Sequence, residues 1–145
     1  MKMKKSYKGI YKPRYPRKYV GDVNRIVYRS LLERRFMVYC DMNPDIIQWA
    51  SEEISIKYVS PLDGRLHRYF PDFIVETAKK KQFMIEVKPY RQCLPPKKKK
   101  RISRVFLSEK LTFAKNQAKW RAARAWCKLH KMEFKIFTEK ELGKK

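Results

Sequence analysis

Acidic residues are scarce in this chain, and where they fall carries the first chemical signal. Against 37 lysines and arginines stand 14 aspartates and glutamates, and nine of the fourteen lie between Glu33 and Glu86. Asp72 sits in Phe70-Pro71-Asp72-Phe73-Ile74-Val75, where the two-residue period of an extended chain sets it on the face of Phe70 and Ile74. Aspartate is disfavoured in such a strand. Glu86 and Lys88 leave one face of Met84-Ile85-Glu86-Val87-Lys88 together, while Ile85 and Val87 anchor the other. Glu33 has Ile26, Phe36, Met37 and Cys40 as its helical neighbours, a largely apolar face on which a lone charge is costly and calls for Arg29 or a metal ion. Singly, each signal has a plain reading: a salt bridge from Glu33 to Arg29, a strand-end acid at Asp72, a surface ion pair at Glu86 and Lys88. Jointly they describe a site for a hard divalent cation such as Mg²⁺, which takes a few carboxylates, water and phosphate oxygens. With Lys88 to orient or activate the attacking water, that is the chemistry of phosphodiester hydrolysis.

The rest of the composition agrees. A net charge of +23 over 145 residues exceeds what solubility requires and predicts an acidic polymer as partner, bound through its phosphate backbone. The chain is 43% hydrophobic and 14% aromatic, enough to build one folded domain with some disordered margin. It contains no apolar run of the roughly 18 residues that a membrane span needs, no apolar stretch of a secretory signal after the basic start, and no GxxxxGK[ST] loop for a nucleotide cofactor. Cys40, Cys93 and Cys127, with His67 and His130, form no zinc-type spacing and read as unpaired thiols in a reducing compartment. His67, with no second histidine nearby, reads as packed or solvated, Glu53 as a strand-edge acid or a further acid near the site, and Trp49, Trp120 and Trp126 as core aromatics.

Positioning the acids requires a particular set of elements. Residues 1–21 lack acids and carry Pro13 and Pro16, so they read as an extended basic arm whose tyrosines at 7, 11, 15 and 19 pack on the domain or stack on bases. Helical spacing of Tyr28, Leu32, Phe36 and Tyr39 predicts a first helix over residues 22–40, ended by Asn43 and Pro44. Ile54, Ile56 and Tyr58 predict a strand, Pro61-Leu62-Asp63-Gly64 a turn into a second that Phe70 to Val75 continues as extended structure, and residues 83–88 a third. Lys97, Lys98, Lys99, Lys100 and Arg101 repel one another and predict a loop. Ser108 is placed to cap a long helix to about His130, Met132, Phe134 and Ile136 alternate as a last strand, and Thr138 with Glu141 fits a capping box. The sum is an α/β domain of order αβββαβ with a mixed sheet.

Pro71-Asp72 followed by Glu86-Val87-Lys88, with Glu33 on the preceding helix, resembles the PD-(D/E)xK nuclease superfamily, whose restriction-endonuclease-like core has that order. A longer set, including Glu33-Arg34-Arg35-Phe36, Ser51-Glu52-Glu53-Ile54, His67-Arg68-Tyr69-Phe70-Pro71-Asp72-Phe73 and Asn116-Gln117-Ala118-Lys119-Trp120, resembles the head-completion nucleases of T-even-type tailed phages, relatives of the TnsA N-terminal nuclease domain. The resemblance covers nearly the whole chain and implies a nuclease domain over residues 22–145 behind the basic arm of residues 1–21. It implies a Mg²⁺-dependent DNA endonuclease, with Mn²⁺ as a substitute, that works late in virion assembly on packaged DNA or its ends. Asp72, Glu86 and Val87 are then expected at the metal, Glu33 as the helix acid supporting it, and Lys88 as the catalytic lysine. Lys97, Lys98, Lys99, Lys100, Arg101, Gln117, Lys119 and Arg68 are expected to grip DNA with little sequence preference, Asn116 belonging to the same polar patch as Gln117 and Lys119. Head, portal or neck proteins are the other expected partners, and the host cytoplasm or the virion head the expected place. A structural DNA-binding plug that keeps the fold without needing catalysis is the competing expectation; an RNA-binding protein of ribosomal type would leave the paired acids unexplained.

Overall fold

The computed structural model describes residues 8–97 and 101–143. A four-stranded sheet organises the chain: β3 (Ile46–Ser51), β6 (Phe73–Thr77), β7 (Gln82–Val87) and β8 (Glu133–Phe137), in the order β3-β6-β7-β8. The first three strands run antiparallel and β8 is parallel to β7, a pairing reached through the long crossover helix α2 (Arg104–Leu129). Helix α1 (Leu31–Met42) covers one face, packing Phe36, Met37 and Cys40 against Trp49, Phe73, Val75, Ile85 and Val87. On the other face α2 and a hairpin, β4 (Ile56–Val59) with β5 (Leu66–Tyr69), enclose Met84 among Ile56, Tyr58, Tyr69, Trp120 and Cys127. A short pair, β1 (Gly9–Ile10) with β2 (Val27–Tyr28), and a terminal helix α3 (Glu139–Leu142) complete the domain.

The mixed sheet and the αβββαβ core agree with the sequence reading, but four features differ. The first helix begins at Leu31, not at residue 22, because the Ser30 hydroxyl accepts from the Glu33 amide as its N-cap and Val27–Tyr28 is extended. Upstream, Asp22 accepts from the Asn24 amide in a local turn, and the spacing from Tyr28 to Leu32 matches a helical repeat only by coincidence. The first strand of the central sheet is β3, which pattern reading missed: a register irregularity between Ile46 and Gln48 breaks its alternation. The predicted hairpin exists, yet it forms a separate two-stranded sheet. Ser103, not Ser108, caps α2 by accepting from the Phe106 amide, and the helix runs two turns beyond its packed stripe with Val105, Leu107 and Leu111 exposed. The capping box at Thr138 and Glu141 is present as read.

Tyr11 and Tyr19 are buried against Trp49, with ring centroids 6.2 and 4.7 Å from it, whereas Tyr15 is exposed; Tyr7 lies outside the described residues. What fastens this stretch is Asp41. Only 1% exposed, its carboxylate accepts from the Tyr11 hydroxyl at 2.6 Å and from the Arg14 and Tyr15 amides at 2.7 and 2.9 Å. Lys18 donates to the carbonyls of Asp41 and Asn43 at the end of α1. Burial and this carboxylate push the Tyr11 phenol up, so it stays a donor. Asp41→Ala strands three donors and is expected to cost about 2–4 kcal/mol, read as a lowered urea midpoint.

Candidate active site

Asp72 is the hinge of the site because it closes the loop into β6. The register that sets Phe73 opposite Ile85 brings Asp72 beside Glu86 on the neighbouring strand. Its Oδ2 accepts from the Val87 amide at 2.7 Å, which fixes the carboxylate at one end of the sheet. Glu33, in the first turn of α1, reaches the same point from the other side. The third acid is Glu52, just past the end of β3, with φ 54°, a left-handed conformation rare for a residue with a side chain, and with its amide donating to the Asp72 carbonyl at 3.1 Å. One carboxylate oxygen from each of Glu33, Glu52 and Asp72 lies within 4.8 Å of the others, and all three residues are half-buried. Such a hard-oxygen triad can hold a divalent cation.

Glu86 is buried at 5% exposure and its two oxygens are engaged: Oε1 accepts from the Tyr69 hydroxyl at 2.5 Å and Oε2 lies 3.3 Å from Lys88 Nζ. The acid and amine predicted side by side are therefore a contact pair on the face of α2 and the hairpin. The structure brings Glu33, Asp72, Glu86 and Lys88 to one end of the sheet and sets Val87 there through its amide. It adds Glu52, which sequence reading passed over in favour of its neighbour Glu53. No local pattern marks Glu52: Arg29, which with a metal is one of the two cations expected for Glu33, is ion-paired with Glu52 in the structure.

The electrostatics follow from crowding. Burial, then the Glu86 charge, pushes the Asp72 carboxyl well above the ordinary range, opposed by the Val87 amide. Burial and the Glu52 charge push Glu33 up as well, against the Ser30 hydroxyl. Acids that resist ionising beside one another gain most from a cation placed between them. Tyr69 is pushed upward by burial and by Glu86, which keeps its hydroxyl a donor.

The family of TnsA-like endonuclease N-terminal domains matches residues 43–139. The chain belongs to the TnsA-like endonuclease family. Within that match lie Glu52, Asp72, Glu86 and Lys88, while Glu33 precedes it. The Head completion nuclease of Enterobacteria phage T4 is 35% identical over 138 residues, covering 92% of this chain and 92% of that protein. This match extends along nearly the whole chain.

The residues expected at DNA divide into two groups. Lys97 and Arg101 are exposed on either side of Lys98, Lys99 and Lys100, which lie outside the described residues, and Arg68 is exposed on β5 opposite Lys57. Gln117 and Lys119 are half-buried on α2. Lys119 belongs to the site more than to its margin: Nζ lies 5.5 Å from the Tyr69 ring centre and 6.0 Å from that of Tyr58. Burial, then Lys115, lowers its pKa, while Glu86 and Asp72 pull it back up. His67, read as packed or solvated, pairs with Asp63 in the hairpin turn at 2.8 Å. Trp49 and Trp120 are buried, and Trp126 stacks on His130 at 3.7 Å between ring centres. Cys40, Cys93 and Cys127 are free thiols, and no helix among the described residues is long and apolar enough to cross a membrane.

Proposed function

We propose that this chain is a Mg²⁺-dependent DNA endonuclease of phage head completion, cutting packaged DNA or its end before the head meets its neck and tail. One observation carries the reading: carboxylates from three separate segments, Glu33, Glu52 and Asp72, converge beside the Glu86–Lys88 pair in a chain of net charge +23. The donor set is all oxygen, as Mg²⁺ prefers. Asp72, Glu33 and Glu86 are the metal acids, Val87 would contribute its backbone carbonyl because its side chain has no donor, and Glu52 is added to that set. Bound there, the ion supplies a Lewis acid for the phosphoryl oxygen and lowers the pKa of water.

The chain's own residues do the remaining work. Lys88, held by Glu86 until a phosphate arrives, orients the attacking water and offsets charge developing on the phosphodiester. Tyr69 keeps Glu86 in place, and the Val87 amide does the same for Asp72. Exposed Arg68, Lys97 and Arg101, the lysines at 98–100, and Lys119 with Gln117 on α2 hold the DNA backbone through charge. Head, portal or neck proteins are its assembly partners, and the host cytoplasm during assembly is its place of action.

Nicking of supercoiled plasmid tests this reading. Wild type is expected to nick with Mg²⁺, to nick with Mn²⁺, and to do nothing in EDTA; nicking that persists in EDTA, or none with either metal, overturns it. In phage assembly Asp72→Ala is expected to give filled heads without tails, whereas normal infectious particles would show that a DNA-binding plug suffices.

A further inference from the structure

Beyond the catalytic acids, one groove has the makings of a second binding element. It runs between the segment after Lys88, comprising the 3-10 turn Tyr90–Cys93 and residues 94–97, and the N-terminal half of α2. Its volume is about 580 Å³, inside the roughly 300–1,000 Å³ that holds one small ligand. Pro95, Pro96 and Phe113 supply flat apolar walls, while Arg91 and Lys97 outweigh the single acid, Glu109. Asn116 lines the groove. It is only 6% exposed, and its amide makes no hydrogen bond among the described residues. Among the described residues the buried polar atoms without a partner are the Nε1 atoms of Trp49 and Trp120, so the Asn116 amide instead opens into the groove, where its donor and acceptor are free for a ligand.

We infer that this groove receives one unpaired nucleotide of the substrate strand and that Asn116 reads its base. The inference rests on the nuclease reading above and adds a base-accepting subsite to it. Placement supports it: Asn116 is three residues before Lys119, on the same side of α2, and Lys119 stands over the Tyr69 ring whose hydroxyl holds Glu86. The opposite wall starts three residues after Lys88, at Arg91. A strand with its scissile phosphate at Lys88 thus has a neighbouring nucleotide within reach of the groove. Flat apolar walls accept a base of any kind, and cations at the rim accept its phosphate. An amide presents a donor and an acceptor together, which matches the adjacent acceptor and donor of adenine best.

Two readouts test this on the full chain. Duplexes carrying 2-aminopurine at successive positions around the cut are bound with Ca²⁺ in place of Mg²⁺. One position is expected to brighten several-fold with wild type but not with Asn116→Ala, because the base leaves the stack only when the groove holds it. Sequencing of cut sites in a random library is expected to give wild type a base preference on the order of tenfold at that position. Asn116→Ala removes the preference and Asn116→Asp, which replaces the donor by an acceptor, moves it to another base. Should Asn116→Ala unfold, as judged by circular dichroism, Asn116→Asp carries the test. Wild-type cutting with no brightening at any position, or a preference that neither variant alters, overturns the groove assignment alone; failure of wild type to cut DNA with any metal overturns the nuclease reading and this subsite with it.

Discussion

Asp72→Asn is expected to abolish metal-dependent nicking while leaving the metal-free chain at least as stable as wild type. The loss of rate should be about a thousandfold or more, since the contribution of a metal to transition-state charge is several kcal/mol and each ~1.4 kcal/mol is a factor of ten. The stability half of the expectation comes from the same crowding. Asp72 is half-buried, lies beside Glu86 and shares its oxygen cluster with Glu33 and Glu52, and burial with the Glu86 charge raises its pKa. A carboxyl whose folded pKa is raised binds its proton more tightly when folded. The metal-free fold therefore loses stability as pH rises from the ordinary aspartate pKa of about 3.9 through the elevated value. Asparagine keeps an oxygen for the Val87 amide and has nothing to ionise. Thermal melts in EDTA should show wild type at or below the variant, with the gap wider at pH 8 than at pH 4. Adding Mg²⁺ at a hundredfold excess over its Kd should raise wild type by about 2.7 kcal/mol, on the order of 8 °C, and leave Asp72→Asn unmoved. A metal-induced shift retained in the variant would remove Asp72 from the metal.

Lys88→Met is the second large effect and separates chemistry from metal binding. The stem of the side chain is kept, so packing should survive, but the amine 3.3 Å from Glu86 Oε2 is gone. Loss of a positioned proton-transfer or charge-stabilising group costs about a hundredfold to ten-thousandfold in rate. Glu86 keeps the Tyr69 hydroxyl, so the Mg²⁺-induced rise in melting temperature should persist in this variant even as nicking disappears. Lys88→Arg should rescue little, because a guanidinium is planar, permanently charged and unable to hand over a proton at working pH. Wild-type nicking by Lys88→Met would remove the lysine from the reaction and leave the acids to act alone.

How much of this was legible beforehand differs from element to element. The alternation that placed Asp72 with Ile74, and Glu86 with Lys88, is a property of any extended chain and needs no knowledge of the fold. So are the hairpin turn before Leu66–Tyr69 and the capping box at Thr138. Helix starts were less legible: a serine is a sufficient cap wherever its hydroxyl meets the amide three residues on, and Ser103 and Ser108 look alike until the backbone is laid down. Strand β3 was lost because an irregular register removes the very alternation by which strands are recognised.

By itself the sequence determined the net positive charge, the choice of Glu33, Asp72, Glu86 and Lys88 as site candidates, and the αβββαβ order, since each depends on residue type and local period. Tertiary structure alone decided that Glu52 joins Glu33 and Asp72, that Arg29 answers Glu52, and that Asn116 faces a groove without a partner. Those facts depend on segments tens of residues apart meeting through packing, and on a residue at positive φ after a bulged strand, where no local repeat marks the side chain that will matter.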